Sequence, residues 1–225
     1  MAKDELLQDS LLREVEEDLR RDRMLRLWKR YGTYAIAVVV GLLLAVAGFQ
    51  VWKHFEAKRL AEASMQFAEA NAAAATDPAL ATAGFAALGN DGPRGYALLS
   101  RLQEAALLAR QGDHAAAVAA YDRAARSTDI PVYRDLATLL SVLAAMQAPI
   151  AQLEANDVQS KLARLAADNN PWRFSARELQ ALMALNSGQA AEAERLLKGL
   201  VADPQVPAGV RERAEILLAT PGSAG

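Results

Sequence analysis

Apolar side chains are laid out along this chain in two ways. Between residues 31 and 52 they run on with no charge among them, and from residue 56 onward they recur every three or four positions between charged and small residues. The uninterrupted stretch is 22 residues long, more than the roughly 20 a helix needs to cross a hydrocarbon layer. The three-to-four spacing places apolar groups on one face of a helix. Ala and Leu are abundant and β-branched runs are scarce outside 36–40, so the expected fold is all-α: an N-terminal helix, one transmembrane helix, then an α-solenoid of antiparallel helix pairs.

The breaks between the periodic stretches set the elements. Residues 56–75 continue as a helix with Leu60, Ser64, Phe67 and Ala68 on one face. Thr76-Asp77-Pro78 ends it and supplies a cap and first-turn proline for the next. The densest turn cluster, GNDGP at 89–93, predicts a loop. Helices at 96–110 and 115–126 are parted only by QGDH at 111–114, so they must fold back on each other. Around that turn stand Ala105, Leu108, Gly112, Ala117, Tyr121 and Ala124, followed by Pro131. A second copy has Ala181 and Ala184 before Gly188, Ala193, Leu197 and Leu200 after it, and Asp203-Pro204 to close it.

The two glycines are 76 residues apart, about two periods of 34 with a short insertion. One degenerate repeat is expected between them. Its helices are 136–146 and 157–167, the second with Val158, Leu162 and Leu165 on its apolar face; its turn, 147–156, is long and carries Pro149 in place of glycine. Asn170-Pro171 starts the next helix, and 210–218 reads as a capping helix. The organisation is thus a cytoplasmic amphipathic and basic segment at 1–30, a transmembrane helix at 31–52, connecting helices at 53–94, repeats at 95–220 and a disordered tail at 221–225.

Rings flank the apolar run, with Trp28, Tyr31 and Tyr34 at one margin and Phe49, Trp52 and Phe55 at the other. Aromatic side chains settle at headgroup level, and Trp28, Arg30, Tyr31, Tyr34, Trp52 and Lys53 are the expected membrane-interface residues. Arg20, Arg21, Arg23, Arg26, Lys29 and Arg30 precede the run, against Lys53, Lys58 and Arg59 after it. Positive charge is retained inside, so the expected location is a bacterial inner membrane with the N-terminus cytoplasmic and the C-terminal domain periplasmic. Ala45-Val46-Ala47 has the form of a signal-cleavage site, which leaves a secreted adaptor open; the 30 residues ahead of the run are long for a signal peptide. Upstream, Leu12, Val15 and Leu19 recur at helical spacing. Ala37, Gly41 and Ala45 form a small-residue stripe that admits a second helix.

Composition narrows the chemistry. The chain has 225 residues, net charge -2 and no cysteine, which excludes disulfides, thiolate catalysis and cysteine-bound metal. The near-neutral balance argues against nucleic acid. His54 and His114 have no metal-ligating neighbour at suitable spacing, and neither a nucleophile elbow nor a phosphate loop is present. No cofactor, metal or enzymatic activity is expected.

The order of small and large residues around Gly112 resembles the tetratricopeptide repeat. It departs in the first helix, where Leu108 takes the usual aromatic position and Arg101 the early tryptophan. In that alignment the partner groove is lined by Leu99, Leu102, Ala106, Ala109 and Arg110 in the first full repeat, and by Glu178, Leu182, Leu185 and Asn186 in the last. Trp172 fits either a ligand-stacking role or core packing.

LRLWKRYGTY at 25–34, Val51-Trp52, the Gly112 hairpin and PWRFSAREL at 171–179 together resemble the periplasmic tetratricopeptide family of ancillary Sec-translocon subunits (YfgM-like). That resemblance implies a protein-binding scaffold whose partners are translocon subunits, periplasmic chaperones or exported clients. A self-associating organiser of envelope assembly or cell division is the alternative, with the same repeats used for self-association.

Overall fold

The computed structural model describes residues 2–148 and 155–219, with side chains from residue 28 onward except at 35 and 155. Nine helices and no strands occur among the described residues: α1 (Ala2–Ala73), α2 (Pro78–Asp91), α3 (Arg94–Arg110), α4 (His114–Arg126), α5 (Pro131–Gln147), α6 (Ala155–Leu165), α7 (Arg173–Asn186), α8 (Ala190–Ala202) and α9 (Ala208–Ala219). The chain divides into two compact units, residues 1–59 and 60–225. Pro149, the tail at 221–225 and the side chains of the upstream face with Leu12, Val15 and Leu19 lie outside the described residues.

In the first unit, Ile36, Val38, Leu42, Leu43, Leu44 and Val46 are all more than half exposed. The helical stretch Trp28–Ala73 is long and apolar enough to cross a membrane, and none of its most apolar window is buried.

The second unit is a run of helix pairs, α3 with α4, α5 with α6 and α7 with α8. The end of α1 and α2 lead in, and α9 closes the run against α8 and α7. Both predicted glycine turns have a specific geometry. After α3, Gly112 adopts φ +83°; its N–H donates to the Ala109 carbonyl at 3.0 Å and that of Asp113 to Leu108 at 3.1 Å. After α7, Gly188 has φ +71°, with Gly188 N–H to Leu185 at 3.0 Å and Gln189 N–H to Ala184 at 2.8 Å. These are paired Schellman closures, which satisfy the last carbonyls of a helix and require the left-handed region that glycine enters without penalty. Asp113 then restarts the chain as a helix by accepting from Ala116 N–H at 3.0 Å, and Asp77 caps α2 through Leu80 N–H at 3.0 Å.

Alanine lets the helices approach closely. Ala105, Ala117 and Ala124 are wholly buried, and Tyr121 fills the gap beside them at 6% exposure. Further along, Leu139, Val142, Val158, Leu162 and Leu165 join Ala176 and Leu179 in a cluster spanning α5, α6 and α7. Ala181, Leu197, Leu200, Val206, Val210 and Ala214 then form the core beneath α9. Each fully buried leucine stabilises the fold by about 1.5–3 kcal/mol.

Several sequence expectations are corrected. GNDGP is not a five-residue loop, because α2 continues to Asp91. Gly89 is buried inside that helix, where an added Cβ would stand 3.1 Å from Arg101 Cγ and 3.8 Å from the Ala97 carbonyl oxygen. It serves close helix packing and not a turn. At the end of α1 the inward face has Ala63 and Ala70 buried and Phe67 half-buried, whereas Leu60, Ser64 and Ala68 are exposed. Small residues take the interior there because Gly84 approaches so closely that a Cβ on it would lie 3.1 Å from Ala70 Cβ. Asn170-Pro171 does not open the helix directly: Asn170 accepts from Trp172 N–H at 2.8 Å to form a turn, and α7 starts at Arg173.

Candidate protein-binding surface

Equivalent positions in the three hairpins define a common face. Ala105, Val142 and Ala181 are each fully buried, and each faces the second helix of its own pair through Ala117, Leu162 and Leu197 respectively. Counting from these anchors, Ala106, Leu143 and Leu182 correspond, as do Ala109, Met146 and Leu185, and Leu99, Leu136 and Ser175.

Leu99 is 49% exposed and Leu143 40%. Leu102, Ala106 and Ala109 are half-buried against the α3–α4–α5 core, as Met146 and Leu182 are against the α5–α6–α7 core. Leu185 is half-buried, while Arg110 and Asn186 are exposed at the ends of their helices. The face is therefore apolar with polar ends.

Two differences from the sequence-based site stand out. Glu178 is 7% exposed, and both its oxygens are taken by Arg213, Nε at 2.5 Å and Nη2 at 2.7 Å. It braces α7 against α9 and does not line an open groove. The α5 positions Leu136, Leu143 and Met146 were absent from the expected set. The long 147–156 connection hides the register of α5, and only the buried Val142 restores it.

The polar network is structural. Lys161 Nζ lies 3.0 Å from each Asp122 carboxylate oxygen, 2.8 Å from Asp157 Oδ2 and 3.3 Å from Ser141 Oγ. Burial works to lower its pKa, but the hydrogen bonds that the ammonium donates to Asp157 and Asp122 outweigh this and the value is raised. Burial pushes the Tyr121 phenol up, partly opposed by the charge of Arg110. Trp172 donates from Nε1 to the Val132 carbonyl at 3.0 Å and packs on the α5–α6–α7 core, which favours core packing over ligand stacking. No group of three or more metal-ligating side chains occurs among the described residues. His54 is exposed and edge-on to Phe55, and His114 opens α4.

Along the first unit, Trp28, Tyr31, Tyr34 and Trp52 are 54–72% exposed. The Arg30 guanidinium lies 5.8 Å from the Tyr31 ring centroid and Lys53 Nζ 5.7 Å from that of Phe49. Cations thus sit with aromatic rings at both margins of the apolar stretch.

The family model described as tetratricopeptide repeat-like domain matches residues 26–195. The chain belongs to this family. Tetratricopeptide repeat-like domains are scaffolds for protein–protein interaction and are typically non-catalytic. The signature residues Ala105, Leu108, Gly112, Ala117, Tyr121 and Ala124 all fall within the match, as do Gly188 and Ala193; Leu197 lies two residues beyond it. A search of curated proteins and a search of solved structures each found no match.

Proposed function

We propose that this protein is an inner-membrane-anchored scaffold, with its tetratricopeptide repeats on the periplasmic side, where they bind proteins of the export machinery: Sec-translocon subunits, periplasmic chaperones or newly exported chains. The observation that carries the reading is the apolar stretch of residues 31–52, whose helix has no buried residue in its most apolar window and has aromatic and basic side chains at both ends of the stretch. Such a surface is stable only in lipid or against another protein. The family match begins at residue 26, ahead of that stretch, so the stretch belongs to what the family shares. The basic excess before it supports an inward N-terminus. Binding is assigned to the first-helix face with Leu99, Leu143 and Leu182, whose apolar lining suits a hydrophobic or amphipathic segment.

A reporter that is active only outside the cytoplasm, fused after Gly225, tests the topology. Activity is expected, and a fusion that is made at full length but inactive overturns the reading. Affinity purification in mild detergent then tests the partner class, with translocon subunits or chaperones expected among the retained proteins.

A further inference from the structure

On α3, Leu99, Leu102 and Ala106 share one side, and about 100° of turn per residue puts Arg101 and Glu104 on the other. There a recess of about 340 Å³ opens between α2, α3 and α4, lined by Ala86, Gly89, Asn90, Arg101, Glu104 and Arg123. Gly89 makes room for it. A Cβ at that buried position would press on Arg101 Cγ at 3.1 Å, and its absence lets the arginine stem lie across α2.

The charges in the recess are incompletely matched. Arg123 Nη2 approaches Glu104 Oε1 only to 3.6 Å, beyond hydrogen-bond distance, although the Glu104 side chain is 17% exposed. Arg101 is half-buried, and its guanidinium has no hydrogen-bond or ion-pair partner among the described residues. Two guanidiniums and one carboxylate leave a single excess positive charge.

We propose that this recess binds one carboxylate side chain, Asp or Glu, projecting from a partner protein, with Arg101 as the bidentate fork and the Asn90 amide beside it. A guanidinium presents two parallel N–H donors that match a carboxylate. A monoanion is neutralised by the single excess charge. A phosphate monoester carries close to two negative charges at neutral pH and would meet Glu104 with one of them uncompensated. The recess faces away from the apolar groove, so a partner can be gripped on two sides of α3; this rests on the protein-binding reading above.

The test uses the full chain in detergent micelles and a fluorescein-labelled hexa-aspartate peptide with a blocked C-terminus, followed by fluorescence anisotropy at low salt. The wild type binds, Arg101→Gln weakens binding about tenfold or more, and Arg101→Lys weakens it less. Gly89→Ala, which crowds Arg101, also weakens it, while Arg126→Gln on the exposed surface of α4 changes nothing. Unchanged helicity by circular dichroism shows that the variants are folded. Leu99→Glu and Leu143→Glu retain peptide binding, so failure of the groove reading is distinguishable from failure of this one. The proposal is overturned if the wild type does not bind the peptide, or if Arg101→Gln binds as well as wild type. It is equally overturned if Arg126→Gln weakens binding as much as Arg101→Gln, or if inorganic phosphate or phosphatidylglycerol vesicles bind through Arg101 more tightly than the peptide.

Discussion

Arg213 of α9 holds Glu178 of α7 in a two-pronged ion pair across 35 residues of chain. The hydrogen bonding that Arg213 donates to the Glu178 carboxylate pushes the arginine pKa above its usual range. The two partners are unequal, with the Glu178 side chain 10% exposed and that of Arg213 55%. Removing the arginine strands a buried carboxylate, so Arg213→Ala is expected to cost about 1–3 kcal/mol. Amide hydrogen exchange should locate the loss in α9 and the start of α7, with α3 and α4 unchanged. Equal deprotection of all the repeats would contradict a local brace.

Lys161 ties together α4, α5 and α6 in the degenerate repeat. A lysine whose folded pKa is raised contributes its stabilisation in full below the unfolded value, ordinarily near 10.5, and loses it as pH climbs through the folded one. At pH 7 Lys161→Met should cost about 1–2 kcal/mol in urea unfolding. The gap between wild type and variant should narrow above about pH 10.5. A gap that does not change with pH would mean that the lysine acts through packing alone.

The two Schellman glycines give a cleaner measurement, because nothing lies within 4 Å of where a Cβ would stand at Gly112 or Gly188. Any cost of alanine there is conformational. Gly112→Ala and Gly188→Ala should each destabilise the fold by about 1–2 kcal/mol, and asparagine, which tolerates the left-handed region, by less. Alanine variants as stable as wild type would rule out a positive φ at these turns.

Stability and binding should separate on the groove. Leu99 and Leu143 are exposed, so charge at either should change unfolding free energy by no more than about 0.5 kcal/mol while abolishing partner retention. By contrast, Leu162→Ala in the wholly buried core should cost about 2–5 kcal/mol. Urea titration beside co-purification distinguishes the two classes, and a groove variant that unfolds the repeats would show that its leucine belongs to the core.

How far the primary structure foretold all this varies with the kind of residue. The hairpins at Gly112 and Gly188 were legible because a left-handed turn flanked by alanines has few other solutions. The boundaries around Gly89 were not, since a glycine that lets two helices touch looks in sequence like one that turns the chain. Glu178 could not be placed either: its partner Arg213 lies 35 residues on, a distance that no local pattern spans. Leu143 escaped notice for a different reason. The connection after α5 differs from the repeat motif, so a period counted from either glycine loses register there. The alanine-rich repeats add to the ambiguity, because a small residue fits both an interface and a surface.

Site-specific photocrosslinking in intact cells tests the central claim most directly, with the photoreactive side chain placed at Leu143 and, as a control, at Lys198 on the exposed side of α8. Adducts to translocon subunits, periplasmic chaperones or exported proteins are expected from Leu143 and absent from Lys198. No protein adduct at Leu143, or the same adducts from both positions, would contradict a binding groove on the first helices of the repeats.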